Sequence, residues 1–231
     1  MTTSSTLGII PARGGSKGIE RKNIKCLNGR PLITYTIDAA KTSEPVERVI
    51  VSTDDPEISE VAASAGAEVP FMRPADLARD DTPTEPVVTH ALRELDEDFD
   101  QFVLLQPTSP LRTAEHVTES IKKYTSSRAT SLLSVYPSKN YRWQYTQEGA
   151  TQVNFDGTRS RRQEKQPEFA ENGAIYLTDV DGYLETENLM YGVTELYEMS
   201  ERSSVDIDTP FDLWLAEQIL RYQQSDADMQ S

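Results

Sequence analysis

Short apolar runs alternate along this chain with stretches whose apolar residues recur at helical spacing, a pattern that predicts repeated β-α units and a largely parallel sheet. Leu7-Gly8-Ile9-Ile10 reads as a first strand and Val49-Ile50-Val51-Ser52 as a second. Between them a helix begins near Pro31, with Leu32, Ile33, Tyr35, Thr36 and Ile37 on its apolar side. Asp54-Asp55-Pro56 turn into a helix carrying Ile58, Val61 and Ala62, which stops near Gly66 and is followed by a third strand over 67–72. A helix with Val87, Val88, Ala91, Leu92 and Leu95 leads to Phe102-Val103-Leu104-Leu105, whose continuous apolar run suits a strand covered on both faces. A helix over 114–124 and a strand over 131–136 come next, and then the alternation breaks.

From 137 to 169, Tyr141–Tyr145 and Thr151–Phe155 read as the two arms of a β-hairpin. A strand over 173–178 returns to the core, and an amphipathic helix follows Pro210. The fold class is therefore α/β with a mainly parallel sheet. Its core is expected over 1–136 and 170–222, with a small arm or hairpin at 137–169 and a frayed tail at 223–231.

The length, 231 residues, and a 37% hydrophobic content are enough for one large domain with a sizeable core. No apolar run approaches the roughly 18 residues of a membrane helix, and the polar start lacks the regions of a signal peptide, so a cytoplasmic protein without membrane attachment is expected. The single cysteine, Cys26, excludes an intramolecular disulfide framework and reads as a small packing residue. A net charge of -15 argues against a nucleic-acid partner, because such binding depends on neutralising phosphates with Lys and Arg. The same acidity fits either a salt-adapted protein or an ordinary solvated surface.

Against this background the loop after the first strand stands out. Between Arg13 and Arg30 lie six cations, Arg13, Lys17, Arg21, Lys22, Lys25 and Arg30, against the single anion Glu20. Gly14, Gly15 and Gly18 accompany them, which lets backbone N–H groups approach an anion. At the carboxyl end of a strand in an α/β sheet, such a loop points to a triphosphate. Its spacing matches neither G-x-x-x-x-G-K-[ST] nor G-x-G-x-x-G.

A second feature is Asp206-Ile207-Asp208-Thr209-Pro210. In an extended segment both carboxylates face the same way and can hold a hard cation, although Asp208 or Thr209 can equally cap the helix that follows. His90 and His116 lie on predicted helices without metal-ligand spacing and read as structural or exposed. Arg112, in Gln106-Pro107-Thr108-Ser109-Pro110-Leu111-Arg112, can touch phosphate or sugar or pair with a carboxylate.

Four motifs in order, Ile9–Gly18 with Lys22-Asn23, Leu105–Arg112, Asn172–Tyr176 and Asp206–Thr209, resemble the N-acylneuraminate cytidylyltransferases, also called CMP-sialic acid synthetases. The resemblance implies a Rossmann-like nucleotidyltransferase fold and a homodimer. It also implies Mg²⁺-dependent transfer of CMP from CTP to the C2 hydroxyl of a nine-carbon 2-keto acid, such as N-acetylneuraminic or legionaminic acid, with release of pyrophosphate. Mn²⁺ also suits oxygen ligands. By the same resemblance Arg13, Ser16, Lys17, Lys22, Asn23 and Arg73 bind the nucleotide, and Gln106, Arg162 and Tyr176 bind the sugar. Asp206 and Asp208 hold the metal, Arg13 and Lys17 stabilise charge on the phosphates, and Asp208 also assists deprotonation of the sugar hydroxyl. Residues 137–169 match an arm that crosses to a partner subunit, with Tyr141, Trp143 and Phe155 as anchors there or packed within their own hairpin. Rival readings are a cytidylyltransferase for pseudaminic or an eight-carbon keto acid, and a non-catalytic nucleotide-binding homologue.

Overall fold

In a computed structural model, residues 4–230 are described apart from 96, 159, 160 and 162, with the backbone alone for 227–230. The central sheet has six strands: β1 (Thr6–Pro11), β4 (Arg48–Ser52), β5 (Gln101–Leu104), β6 (Ser131–Ser138), β9 (Glu168–Asp179) and β10 (Thr194–Glu198). Their order is β10-β6-β9-β5-β1-β4, and only β9 runs against its neighbours. Apolar residues of the strands divide by parity. Leu7, Ile9, Phe102 and Leu104 face one side, and Ile10, Val103 and Leu105 face the other, as a two-residue period requires.

Each face is closed by helices. Ile33 and Ile37 of α1 (Leu32–Lys41), Ile58 and Ala62 of α2 (Pro56–Ser64), and Val117 and Ile121 of α4 (Ala114–Ser126) join Ile10 and Val103. On the opposite face Val88 and Ala91 of α3 (Thr84–Leu95) and Tyr183 of α5 (Val180–Thr186) join Leu7 and Phe102. A third cluster ties Ala216 of α6 (Pro210–Gln230) to Ile19, Ile207 and Leu27 of β2 (Cys26–Leu27), which pairs with β3 (Arg30–Pro31). This last cluster seats the cationic loop and the D-x-D segment against each other.

Several expectations change in detail. The third strand over 67–72 shrinks to two isolated bridges, Ile50 with Glu68 and Thr53 with Met72, because Pro70 has no N–H to continue a ladder. Cys26 is exposed rather than packed. The segment read as a frayed tail continues α6 to Gln230. The hairpin at 137–169 is present as β7 (Trp143–Thr146) and β8 (Gly149–Gln152), a two-stranded ribbon apart from the main sheet. At its base Phe155 stacks edge-on with Tyr141 at 4.8 Å and Trp143 at 5.3 Å, so within one chain these rings contact each other.

Candidate active site

The parallel strands β1, β4 and β5 deliver their carboxyl ends to one edge of the sheet, and the cationic loop leaves β1 there. Gly14 donates its N–H to Asp54 Oδ1 at 2.9 Å, and Asp55 caps α2 by accepting from the N–H groups of Glu57 and Ile58. The glycines serve by their lack of bulk: a Cβ on Gly14 would lie 2.7 Å from Asp55 Oδ2, and one on Gly18 would lie 2.2 Å from the Asp208 carbonyl oxygen. None of Gly14, Gly15 and Gly18 has positive φ, and the left-handed residue of this loop is Arg21, at φ 53°. Asn23, nearly buried, donates to the Arg13 carbonyl at 2.9 Å and so fixes the loop's return.

Beside this loop lies a cleft of about 380 Å³. Arg13, Ser16, Lys17, Lys22, Asn23 and Arg73, the residues expected at the nucleotide, all line it, together with Gln106 and Asp208. Arg13 reaches Asp80 Oδ1 at 2.9 Å and the Arg79 carbonyl at 2.7 Å, and Lys17 reaches Asp80 Oδ2 at 3.2 Å. One carboxylate thus sits between two cations, where an anionic ligand would take its place. Arg73 is buried under the cleft and donates to Ser52 Oγ at 3.1 Å; burial, reinforced by Arg13 and opposed by Asp54, lowers its pKa to about 10. The stretch around Asp80, between Leu77 and α3, was not singled out from the sequence. The acidic pair Asp80-Asp81 just before the helix start was its visible sign, but its opposition to Arg13 and Lys17 is tertiary.

In the D-x-D segment the helix cap falls to Thr209 and not to the Asp208 side chain. Thr209 caps α6, with Asp212 Oδ2 accepting from its N–H at 2.8 Å and Pro210 in the first turn. Ile207 is fully buried and donates its N–H to the Thr108 carbonyl at 2.9 Å. The carboxylates of Asp206 and Asp208 are not used by this cap. Lys22 Nζ donates to Asp208 Oδ1 at 3.0 Å and to the Ile207 carbonyl at 2.8 Å. Burial, with the charges of Asp208 and Asp212, raises the pKa of Asp206 against the opposing hydrogen bond from the Thr108 side chain and the charge of Lys22, and its Oδ1 is buried without a hydrogen-bond partner among the described residues.

A buried orphan carboxylate oxygen beside a second carboxylate fits a hard cation. Among the described residues no group of three or more His, Cys, Asp or Glu converges. Two carboxylates are nevertheless the usual protein share of a Mg²⁺ site completed by phosphates and water.

On the far side, Gln106 Oε1 and Asp206 Oδ2 lie 3.9 and 4.0 Å from where a Cβ of Gly173 would be. Gly173, at φ 70°, sits in a bulge that Asn172 holds through Ser134 Oγ at 2.6 Å. Tyr176 is almost buried, donates its hydroxyl to Glu171 Oε1 and is raised in pKa by that burial, by Glu171 and by Asp206. Neither Tyr176 nor Asp206 is among the residues that line the cleft, unlike Arg13, Ser16, Lys17, Lys22, Asn23, Arg73, Gln106 and Asp208. Arg162 lies outside the described residues. His90 packs edge-on against Phe71, and His116 completes the capping box of α4, so neither belongs to the site.

A sequence model of the cytidylyltransferase family matches residues 7–230. An N-acylneuraminate cytidylyltransferase of Escherichia coli is 37% identical over 91% of this chain, and one of Danio rerio is 37% identical over 93%. The chain spans about half the length of these two relatives, 51% and 50%. A CMP-N,N'-diacetyllegionaminic acid synthase of Legionella pneumophila is 33% identical over 94% of this chain and 97% of its own. Among solved structures, a CMP:2-keto-3-deoxy-manno-octonic acid synthetase complexed with CTP superposes with a TM-score of 0.72 at 18% identity, covering 95% of this chain and all of that one. With its fold, its cation-lined cleft and a family match across nearly its whole length, this chain belongs to the cytidylyltransferase family.

Proposed function

We propose that this chain transfers CMP from CTP to the C2 hydroxyl of a nine-carbon 2-keto acid sugar, N-acetylneuraminic acid or a relative such as legionaminic acid, and releases pyrophosphate. The observation that carries this reading is the joining of Arg13, Lys17 and Lys22 to Asp208 and Gln106 in one cleft of a chain this similar to enzymes of that name.

In this reaction the C2 oxygen attacks the α-phosphorus, the bond to the β-phosphate oxygen breaks, pyrophosphate leaves, and the hydroxyl proton passes to a base. Arg13 and Lys17 exchange Asp80 for the phosphates and stabilise the charge that builds there. Lys22, between the loop and Asp208, orients the carboxylate that takes the proton. Gln106 and Tyr176 serve the sugar, as does Arg162, whose guanidinium suits a carboxylate. Asp206 and Asp208 would hold Mg²⁺, or Mn²⁺ in its place, which when bound supplies charge neutralisation at the phosphates. The working unit is a cytoplasmic homodimer in which the 137–169 arm reaches the partner subunit.

The test is pyrophosphate release from CTP and Mg²⁺ with a panel of N-acetylneuraminic, legionaminic, pseudaminic and eight-carbon keto acids, at low and high salt. Turnover with a nine-carbon acid of the sialic type supports the reading. Turnover with the eight-carbon acid alone would replace the substrate, and silence from folded protein across the panel would leave the non-catalytic reading.

A further inference from the structure

Arg112 is 3% exposed, yet no carboxylate pairs with it among the described residues. Its Nη1 donates to the Ala174 carbonyl at 2.8 Å and to the Gln106 carbonyl at 3.2 Å, while Nε and Nη2 are buried without hydrogen-bond partners among the described residues. Burial, with no acid to offset it, lowers its pKa to about 9. A buried cation with two unmet donor groups is a poor way to stabilise a core, since a neutral side chain of similar volume would fill the space at less expense of solvation. The position of its two acceptors gives the arrangement a purpose.

Ladder pairing of β9 with β5 ends at Tyr176, and pairing with β6 breaks after Tyr176 and resumes only at Glu171. Ala174 therefore lies in the bulge, where its carbonyl has no neighbouring strand to accept from. Arg112 supplies the missing donor from the turn after β5 and with the same nitrogen holds the backbone of Gln106. The two clamped segments are those that meet at the reaction end of the cleft, where Gln106 Oε1 and Asp206 Oδ2 both approach Gly173.

We propose that Arg112 is a positioning residue: by tying the Gln106 backbone to β9 at Ala174 it sets Gln106 and the Gly173 opening against Asp206, and so fixes the sugar relative to the nucleotide. This rests on the functional reading above. It touches neither substrate and acts through the groups that do.

The experiment compares the wild type with Arg112→Met and Arg112→Lys, measuring thermal midpoint, CTP affinity, and kcat and KM for the sugar acid. The Met variant is expected to keep its thermal midpoint and to bind CTP within about twofold of wild type, while kcat/KM for the sugar falls about tenfold to a hundredfold, the scale of a small misplacement of a reacting group. The Lys variant, able to reach one carbonyl but not hold both in a planar fork, should recover part of that loss.

Wild-type turnover matched by the Met variant would overturn the proposal alone. So would a loss in which CTP affinity and thermal midpoint fall together with sugar kcat/KM. Should the Met variant not fold, the Lys variant decides by the same split. A folded wild type that binds CTP and turns over no sugar acid would instead overturn the functional reading, and this inference with it.

Discussion

At Gly18 the case for glycine is one of space. Its neighbour is the backbone carbonyl of Asp208, 2.2 Å from where a Cβ would stand, and a carbonyl in a segment pinned by Ile207 cannot swing aside as a side chain would. Gly18→Ala is therefore expected to displace the D-x-D segment and cut pyrophosphate release by about a hundredfold, as misplacement of a catalytic group does. Gly15→Ala, with nothing near its Cβ position, should fold normally, and steady-state kinetics on both variants check the contrast.

Asp206 makes the opposite kind of prediction. Its Oδ1 is buried without a hydrogen-bond partner among the described residues, which is unfavourable to the fold, so Asp206→Asn should keep or raise the thermal midpoint near pH 7 while abolishing turnover. Asp55 is tied the other way. Burial raises its pKa, but hydrogen bonds from Ile58, Arg21 and Glu57 outweigh this and hold it below the usual range. Its contribution is present above the unfolded pKa and lost as pH falls through the lower folded one. Asp55→Ala should cost about 1 kcal/mol at neutral pH, as loss of a cap does. Denaturation curves recorded at falling pH should show that difference closing below the ordinary Asp range.

Among the elements, those whose burial follows one period were legible. β1 and β5 show two-residue parity to opposite faces, and α1 and α2 begin and stop near Pro31, Pro56 and Gly66 as the residues dictate. β10 leaves little trace in the sequence, because Thr-Glu-Leu-Tyr-Glu is a short, half-polar edge strand, and α5 is only seven residues long. β9 extends beyond the strand expected over 173–178, since Asn172-Gly173 looks like a boundary and is in fact a bulge stitched by Ser134.

The candidate site divides likewise. The loop cations and D-x-D were visible as local patterns, but Asp80 and the clamp of Arg112 exist only through contacts across the chain. The turn that carries Asp80 yields its own test. Exposed ion pairs of this kind are worth up to about 1 kcal/mol, so Asp80→Asn, by freeing Arg13 and Lys17, should tighten CTP binding by no more than about fivefold, measured by titration calorimetry. Weaker binding would show that Asp80 serves the nucleotide directly.

Over the whole molecule, a chain of net charge -15 sets Arg13, Lys17, Lys22, Arg73 and Arg79 against Asp80 and Asp208 in one cleft, a locally basic site on an acidic body. Self-repulsion of the body predicts that moderate salt raises the thermal midpoint, because screening acts within about 10 Å at 0.1 M. Complete folding in dilute buffer would retire the salt-adapted reading of the same acidity. The hairpin stands apart from the main sheet with Tyr145 92% exposed, and its removal tests the proposed dimer through solution mass and activity together. The proposed reaction is defined by the bond it forms. Phosphorus NMR of CTP, Mg²⁺ and N-acetylneuraminic or legionaminic acid should show a CMP-sugar phosphodiester appearing with pyrophosphate for the wild type and not for Asp208→Asn. Folded, CTP-binding wild type that forms no phosphodiester with any nine-carbon acid, or an Asp208→Asn variant that forms it undiminished, would contradict the account.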